Sequence, residues 1–201
     1  MNDLFDDNNT NNYEDKGFDK DVAIGERLFP WRDYTPFVFF ILLMFVNKPN
    51  VLTAVLGTLL MLLGLGIRVY SVSFINEAED QSLVTEGPFS FIRNPLDLGT
   101  MIIIMGTAIF SASIWFILLT AISFSLQYYF ISKYEEYILT NKLGDVYKEY
   151  MANVPAWIPR KKITLSEIVP PKDLSDALHK EKKVFGIVAI CLVVLVAIGM
   201  S

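Results

Sequence analysis

Apolar runs that contain no charged residue alternate with polar stretches along the 201 residues of this chain. Three charge-free stretches stand out: between Lys48 and Arg68, between Asp97 and Lys133, and after Lys183. A helix needs about 20 mainly apolar residues to cross a hydrocarbon core of roughly 30 Å. Residues 51–72 and 184–200 meet that requirement, and residues 34–47 form a shorter first candidate.

The stretch from residue 98 to residue 132 is too long for one ordinary crossing. As a single helix it would extend for about 52 Å. A helical hairpin with its turn near residues 111–113 (Ser-Ala-Ser) fits better. The pattern therefore predicts an all-α, polytopic membrane protein with about five transmembrane helices, two of which form this hairpin.

The placement of Lys and Arg predicts the orientation of these helices. With the N-terminus in the cytoplasm, Lys48 is the one basic residue on the far side of the membrane. The polar segments 73–97 and 133–183 then lie in the cytosol. We expect an integral protein of the inner or plasma membrane whose functional residues are cytoplasmic.

Residues 133–153 predict a cytosolic helix that continues out of the hairpin, because apolar and aromatic side chains recur there at helical spacing. These positions are Tyr134, Ile138, Leu143, Val146, Tyr147 and Tyr150. Pro155 and Pro159 lie where such a helix ends.

Composition supports the membrane interpretation, since 53% of the residues are apolar and soluble domains average about 45–50%. The net charge of −5 comes largely from an acidic N-terminal tail, for which we predict disorder over residues 1–30. We expect a membrane core over residues 31–183 and a C-terminal transmembrane helix over residues 184–201. No basic region precedes an apolar core at the N-terminus, so we expect no cleaved signal peptide.

One cysteine, Cys191, and one histidine, His179, limit the chemistry. A single cysteine excludes a disulfide within the chain. One cysteine and one histidine also strongly disfavour a zinc site and a Cys/His nucleophile pair. We therefore expect no metal, and we expect no nucleic acid as a partner. The tripeptide 64–66 (Gly-Leu-Gly) lies mid-membrane, where small residues favour helix packing over dinucleotide binding.

The polar segment before the hairpin has two interpretations. Asn94 suits the N-cap of a helix, Pro95 its first position and Asp97 the third position of a capping box. Arg93 then extends towards lipid phosphates. Alternatively, the free N–H groups of a helix N-terminus favour a ligand carboxylate or ribose hydroxyls near residues 94–97.

Glu135 and Glu136 follow directly after the charge-free hairpin. Five aromatic residues surround them in sequence, namely Tyr128, Tyr129, Phe130, Tyr134 and Tyr137. An aromatic belt at the membrane interface beside a solvated acidic pair explains this pattern. A carboxylate in an aromatic pocket, which attracts a cation, explains it equally.

The order of these pieces resembles the isoprenylcysteine carboxyl methyltransferase family, with phospholipid methyltransferases as more distant relatives. The first block is LVTxGPF-x3-RNP-x3-G, and the second, after the hairpin, is EE-x7-G-x2-Y-x2-Y-x3-VP-x3-P. The matching residues are Leu83, Val84, Thr85, Gly87, Pro88, Phe89, Arg93, Asn94, Pro95, Gly99, Glu135, Glu136, Gly144, Tyr147, Tyr150, Val154, Pro155 and Pro159. The resemblance covers about residues 50–160.

This resemblance implies an S-adenosylmethionine-dependent methyltransferase without a Rossmann domain, whose cytosolic helix closes the cofactor pocket and whose lipophilic acceptor comes from the bilayer. The implied cofactor positions are Gln81, Ser82, Leu83, Val84, Phe89, Asn94, Pro95, Leu96 and Asp97. Glu135 and Asn94 are the implied catalytic residues, and Glu135 and Arg93 the implied acceptor-binding residues.

Three positions depart from the family pattern. Asn94 replaces a histidine, Asp97 replaces a tyrosine, and Ile131 replaces an arginine. Without that arginine a substrate carboxylate loses a cation, for which Lys133 and Arg93 are candidate replacements. Besides a prenylcysteine-like acceptor, a phospholipid or a small thiol fits the resemblance, and so does a non-catalytic membrane protein that retains the fold.

Overall fold

The computed structural model describes residues 19–46, 48–75, 83–160 and 162–199, and every regular element in these ranges is a helix. The α-helices are α1 (Lys20–Leu28), α2 (Thr35–Val46), α3 (Val51–Val72), α4 (Pro95–Phe110), α5 (Ile114–Leu143), α6 (Asp145–Asn153), α7 (Leu174–Lys180) and α8 (Lys182–Gly199). Short 3-10 turns cover Phe29–Trp31, Gly87–Ser90 and Leu165–Glu167. Most of the acidic tail lies outside the described residues.

Two of the described helices, α3 and α5, are long and apolar enough to cross a membrane. A third candidate is the pair Lys20–Trp31 and Thr35–Val46, which is bent by 66° at the break between its halves. The described helices thus give two or three candidate spans, fewer than the five predicted. The shortfall arises partly because α2 and α4, at about 18 Å and 24 Å, are shorter than the hydrocarbon core.

The turn of the predicted hairpin falls where the sequence places it, between α4 and α5. Ser113 begins α5, and its hydroxyl accepts a hydrogen bond from the Phe116 N–H at 3.4 Å. The predicted continuous helix over residues 133–153 is wrong, because α5 ends at Leu143 and α6 begins at Asp145. Gly144, between them, has a φ of +60°, which interrupts the helix.

Helices α3 and α4 pack backbone to backbone at two pairs of glycines. A Cβ on Gly57 would lie 2.6 Å from the Gly106 carbonyl oxygen, and a Cβ on Gly64 would lie 2.5 Å from that of Gly99. The pairs are seven residues apart on both helices, so the close approach repeats after two turns. Gly66, by contrast, has nothing within 4 Å of such a Cβ. The prediction that these small residues serve helix packing is confirmed for Gly64, whereas Gly66 makes no such contact.

The N-terminal segment packs along α5. Gly25 of α1 lies so close to α5 that a Cβ would reach 2.1 Å from the Phe130 carbonyl oxygen. Beyond the bend, α2 follows α5 in the opposite direction, and the rings of Phe39 and Phe124 meet at 4.8 Å between centroids. The bend therefore places residues 29–34 against the polar half of α5.

The C-terminal helices are held to α3 by a buried ion pair. Arg68 donates from Nε and Nη2 to the two carboxylate oxygens of Glu181, at 2.7 and 2.8 Å. Its Nη1 reaches the Thr100 hydroxyl at 2.5 Å. Because one guanidinium contacts α4 and the start of α8 from α3, it fixes the polar ends of three helices together.

Substituting Gly64 tests the α3–α4 contact. Gly64→Ala should lower the thermal unfolding midpoint of the detergent-purified protein, because the added methyl forces the backbones apart at a cost of about 1–3 kcal/mol. Gly66→Ala is the matched control and should leave the midpoint unchanged or raise it, since alanine favours helix. Equal midpoints for the two variants would contradict the described packing.

Candidate active site

Asn94 precedes α4 as predicted, but its side chain makes no capping hydrogen bond. Its amide nitrogen instead donates to the Ser132 hydroxyl of α5 at 2.9 Å, and its backbone N–H donates to the Ala156 carbonyl at 3.2 Å. The predicted capping box is therefore wrong, because its side-chain hydrogen bond is not formed and the Asn94 backbone N–H that Asp97 would cap is bound by Ala156. Asn94 therefore links the start of α4 to Ser132 of α5, which lies one helical turn before Glu135.

Asp97, in the first turn of α4, forms no ion pair or hydrogen bond with any other residue in the described ranges. Its carboxyl lies within electrostatic range of the Arg32 and Arg68 guanidinium groups. Asp97 is also within electrostatic range of Glu135. The structure thus places a partnerless carboxylate beside two arginines at the polar end of the helices.

Glu135 pairs with an arginine from the N-terminal segment. Arg32, directly after the Phe29–Trp31 turn, donates from Nη1 to a Glu135 carboxylate oxygen at 2.7 Å. The side chains are 21% and 18% exposed, so the pair is largely shielded from water. The guanidinium also lies 5.1 Å from the centre of the Phe29 ring.

Arg93 holds the polypeptide that follows α6. It pairs with Glu136 through Nη2 and donates from Nη1 to the carbonyl oxygens of Met151 and Val154, at 3.1 and 2.6 Å. Its backbone N–H donates to the Pro155 carbonyl at 2.9 Å. These contacts pack residues 151–155 beside the start of α4, and binding of an acceptor by Arg93 stays a prediction.

Several aromatic side chains lie near this region, and of the five predicted around the glutamates Tyr128 is buried. Its ring meets that of Trp157 at 6.4 Å between centroids. The Tyr150 hydroxyl donates to the Phe89 carbonyl at 2.7 Å, and burial raises the pKa of Tyr150 to about 12. Tyr150 therefore stays protonated and connects α6 to the Gly87–Ser90 turn.

The other predicted cofactor residues are distributed around this centre. Pro95 is buried at the start of α4, and Leu96 packs against Val69 and Val72 of α3. Leu83, Val84 and Phe89 are half-buried in the segment before Asn94. Gln81 and Ser82 lie outside the described residues, so their cofactor role stays a prediction.

The departure at Ile131 places a fully buried apolar side chain where the family has a cation. Of the two candidate replacements, Arg93 is bound to Glu136, and Lys133 is 42% exposed and lies 3.6 Å from the same carboxylate. The cation that contacts Glu135 is Arg32. Sequence reasoning missed Arg32 because it lies outside the motif blocks, 103 positions from its partner.

Reasoning from the motifs also missed Arg68 and Glu181. Arg68 could have been noticed, since it is the one charged residue within residues 51–72. A charge near the end of an apolar helix calls for a partner. Nothing in the sequence identified Glu181 as that partner, because it lies in a charged stretch with several alternatives.

A sequence model described as "Phospholipid methyltransferase" matches residues 52–146. The chain is 28% identical over 100 residues to the nickel-cobalt-cadmium resistance protein NccN of Alcaligenes xylosoxydans xylosoxydans. It is also 28% identical over 93 residues to the cobalt-zinc-cadmium resistance protein CzcN of Cupriavidus metallidurans. These alignments cover 50% and 46% of this chain and 46% and 43% of the relatives, so it spans less than half their length. No solved structure matches the chain.

Removing Arg93 should destabilise the site more than removing an exposed cation does. Arg93→Ala leaves two carbonyl groups without their donor and Glu136 with the more distant Lys133 alone, which costs about 3 kcal/mol. Lys148→Ala removes an exposed pair with Asp145 and should leave stability unchanged. Thermal unfolding in detergent measures both, and equal midpoints would show that Arg93 does not hold residues 151–155 in place.

Proposed function

We propose that this chain is an integral membrane methyltransferase, since residues 52–146 match the phospholipid methyltransferase family. Its cofactor is S-adenosylmethionine, and its acceptor is a lipophilic molecule that reaches the site from the bilayer. The observation that supports this best is the Asp97 carboxylate, which has no partner among the described residues at the start of α4.

The charges around Asp97 fit such a cofactor. Arg32 is paired with Glu135 and Arg68 with Glu181, so Asp97 is the acidic group left unmatched in this cluster. S-adenosylmethionine carries a positive sulfonium and an ammonium group. Asp97 is suited to bind one of these, or to accept hydrogen bonds from ribose hydroxyls.

The uncapped start of α4 supplies the complementary polarity. Because the Asn94 side chain bonds to Ser132 rather than to α4, the first N–H groups of the helix stay open to a ligand oxygen. Asn94 and the predicted positions Gln81, Ser82, Leu83, Val84, Phe89, Pro95 and Leu96 complete the proposed cofactor site.

When bound, S-adenosylmethionine would supply an activated methyl group for transfer to an acceptor lone pair. The residues of this chain position the reactants and exclude water, tasks that need no histidine or cysteine. We propose that Glu135 orients the acceptor and that the aromatic side chains around Tyr128 shield the reaction. Asn94, an amide, holds its neighbours in place and does not shuttle a proton.

The proposed acceptor classes follow from the family resemblance and not from the metal-resistance names of the relatives. In the ranges that the structure describes, no group of three or more His, Cys, Asp or Glu side chains could hold a metal ion. The acceptor classes in this proposal are a prenylcysteine-like molecule, a phospholipid and a small thiol.

We further propose that the chain crosses the membrane about five times, with α4 and α5 as a hairpin and the N-terminus and site in the cytoplasm of an inner or plasma membrane. The site residues support this, because Asn94, Arg68, Glu135 and Glu181 all lie at one end of the helices. Lys48 lies at the other end, where its N–H donates to the Ser111 carbonyl at 3.2 Å.

Binding of S-adenosylmethionine tests the cofactor site. Asp97→Asn should raise the Kd of the detergent-purified protein by about 10-fold or more, because a charge-assisted contact contributes about 1.5–3 kcal/mol. Asp145→Asn changes an exposed carboxylate and is the matched control. Calorimetry measures both. If wild type and Asp97→Asn bound with equal Kd, Asp97 would have no place in the site.

Labelling decides whether binding leads to catalysis. The purified protein is incubated with methyl-labelled S-adenosylmethionine and a total lipid extract, with a prenylcysteine analogue in parallel, and the labelled product is identified. Glu135→Gln should abolish most of the transfer and lower the unfolding midpoint less than Glu135→Ala does, because the amide oxygen can still accept a hydrogen bond from Arg32. Cofactor binding without any transfer would favour a non-catalytic protein that retains the fold.

A further inference from the structure

Arg68 of α3 lies beside the turn of α4 that carries Asp97. Its Nη1 donates to the Thr100 hydroxyl at 2.5 Å and reaches the Leu96 carbonyl oxygen at 3.5 Å. Asp97 lies between these two positions in sequence, and its carboxyl is within electrostatic range of the Arg68 guanidinium. Arg68 is therefore placed to compete with a cationic ligand for Asp97.

Glu181 occupies the remaining donors of this guanidinium. Its two carboxylate oxygens accept hydrogen bonds from Arg68 Nε and Nη2 at 2.7 and 2.8 Å, and its side chain is 6% exposed. The Glu181 backbone N–H donates to the Ala177 carbonyl at 3.0 Å, which ties the residue to the end of α7. Ala177 is itself buried against Val69 and Val72 of α3. The Glu181 carboxylate is therefore held beside Arg68 by packing as well as by charge.

Apolar packing also anchors α8 to α3. Val188 of α8 is buried against Met61 and Leu65 of α3. A buried ion pair adds little net stability, and apolar groups of similar volume often replace one without loss. The charges of Arg68 and Glu181 therefore call for a reason besides the attachment of α8.

The way in which the charges pair supplies that reason. Arg32 is paired with Glu135 and Arg68 with Glu181, and this pairing leaves Asp97 over. Without Glu181, two arginines would face two carboxylates at this end of the helices, and no acid would remain for a ligand. Because opposite charges attract strongly where water is scarce, Arg68 would then turn its freed N–H groups towards Asp97.

We propose that Glu181 is a positioning residue for the cofactor. By holding Arg68, it keeps Asp97 available to the cationic part of S-adenosylmethionine. The inference rests on the proposed function, because it takes Asp97 as the partner of that cofactor. It gives the C-terminal helices, which lie beyond the matched residues 52–146, a part in cofactor binding that does not require them to touch the ligand.

The affinity of the detergent-purified full chain for S-adenosylmethionine, measured by calorimetry, tests this role. Glu181→Gln keeps the size of the side chain and one oxygen that accepts from Arg68, but it removes the charge. It should raise the Kd by about 10-fold, since Arg68 then competes for Asp97. Asp176→Asn is the matched control and should leave the Kd unchanged, because it removes an ion pair with Lys180 from the surface of α7.

A double-mutant cycle separates an action through Asp97 from a general loss of structure. In an Asp97→Asn background, Glu181→Gln should raise the Kd by about threefold at most, since the carboxylate that it keeps available is absent. Arg68→Gln combined with Glu181→Gln should restore the Kd to within about threefold of wild type, because the competing cation is gone. This last variant contains no unpaired buried charge, so it tests the proposal even if Glu181→Gln alone does not fold.

Three results would overturn the proposal. The first is a wild-type Kd for Glu181→Gln, and the second is an equal rise in Kd with and without the Asp97 carboxylate. The third is a Kd for the Arg68→Gln and Glu181→Gln combination that is raised about 10-fold, as a loss of structure would produce. Unfolding midpoints measured without cofactor show how much stability each variant loses.

The same measurements distinguish this proposal from the proposed function. If wild type does not bind S-adenosylmethionine, or if Asp97→Asn binds it as wild type does, the cofactor site itself is overturned together with the role of Glu181. If Asp97→Asn binds weakly while Glu181→Gln binds as wild type does, the cofactor site stands and the role of Glu181 alone is overturned.

Discussion

Helices α3 and α4 can approach closely only because backbone meets backbone at Gly57 and Gly106 and again at Gly64 and Gly99. That contact sets the register in which Arg68 lies beside the first turns of α4. Gly99 itself leaves the space that the Arg68 side chain occupies, since a Cβ there would lie 2.7 Å from the Arg68 Cγ. The position of α8, which Arg68 holds through Glu181, follows from the same register.

Charge then organises the polar end of these helices. Each of three arginines is paired with a glutamate in surroundings that exclude most water, and each pair joins segments far apart in sequence. Such pairs contribute little net stability but make any other arrangement costly, because it would leave a buried charge unmatched. Asp97 is the acid left over, and for that reason the cofactor proposal depends on it.

Much of this arrangement follows from the sequence, and the rest does not for identifiable reasons. Apolar period and length predicted α3, α5 and the turn between α4 and α5. Five crossings are not confirmed among the described helices, because absence of charge does not show how long a helix runs. The predicted Asn94 cap was wrong because the side chain bonds to Ser132 of α5 instead of to its own helix. The predicted helix through Gly144 was wrong because Gly144 has a positive φ. Arg32 was missed because no local pattern encodes a contact 103 residues away.

Backbone contacts position α4, whereas a side-chain contact positions Glu135, and this difference has an evolutionary consequence. The glycine contacts that position α4 involve backbone atoms, so no compensating side chain on the opposite helix can relieve a substitution there. The contact between Arg32 and Glu135 involves side chains, one of them from a segment outside the family core. Under the proposed role of Glu135 in orienting the acceptor, descendants of this protein could change acceptors by altering residues 28–35 while the residues proposed to bind the methyl donor stay constant.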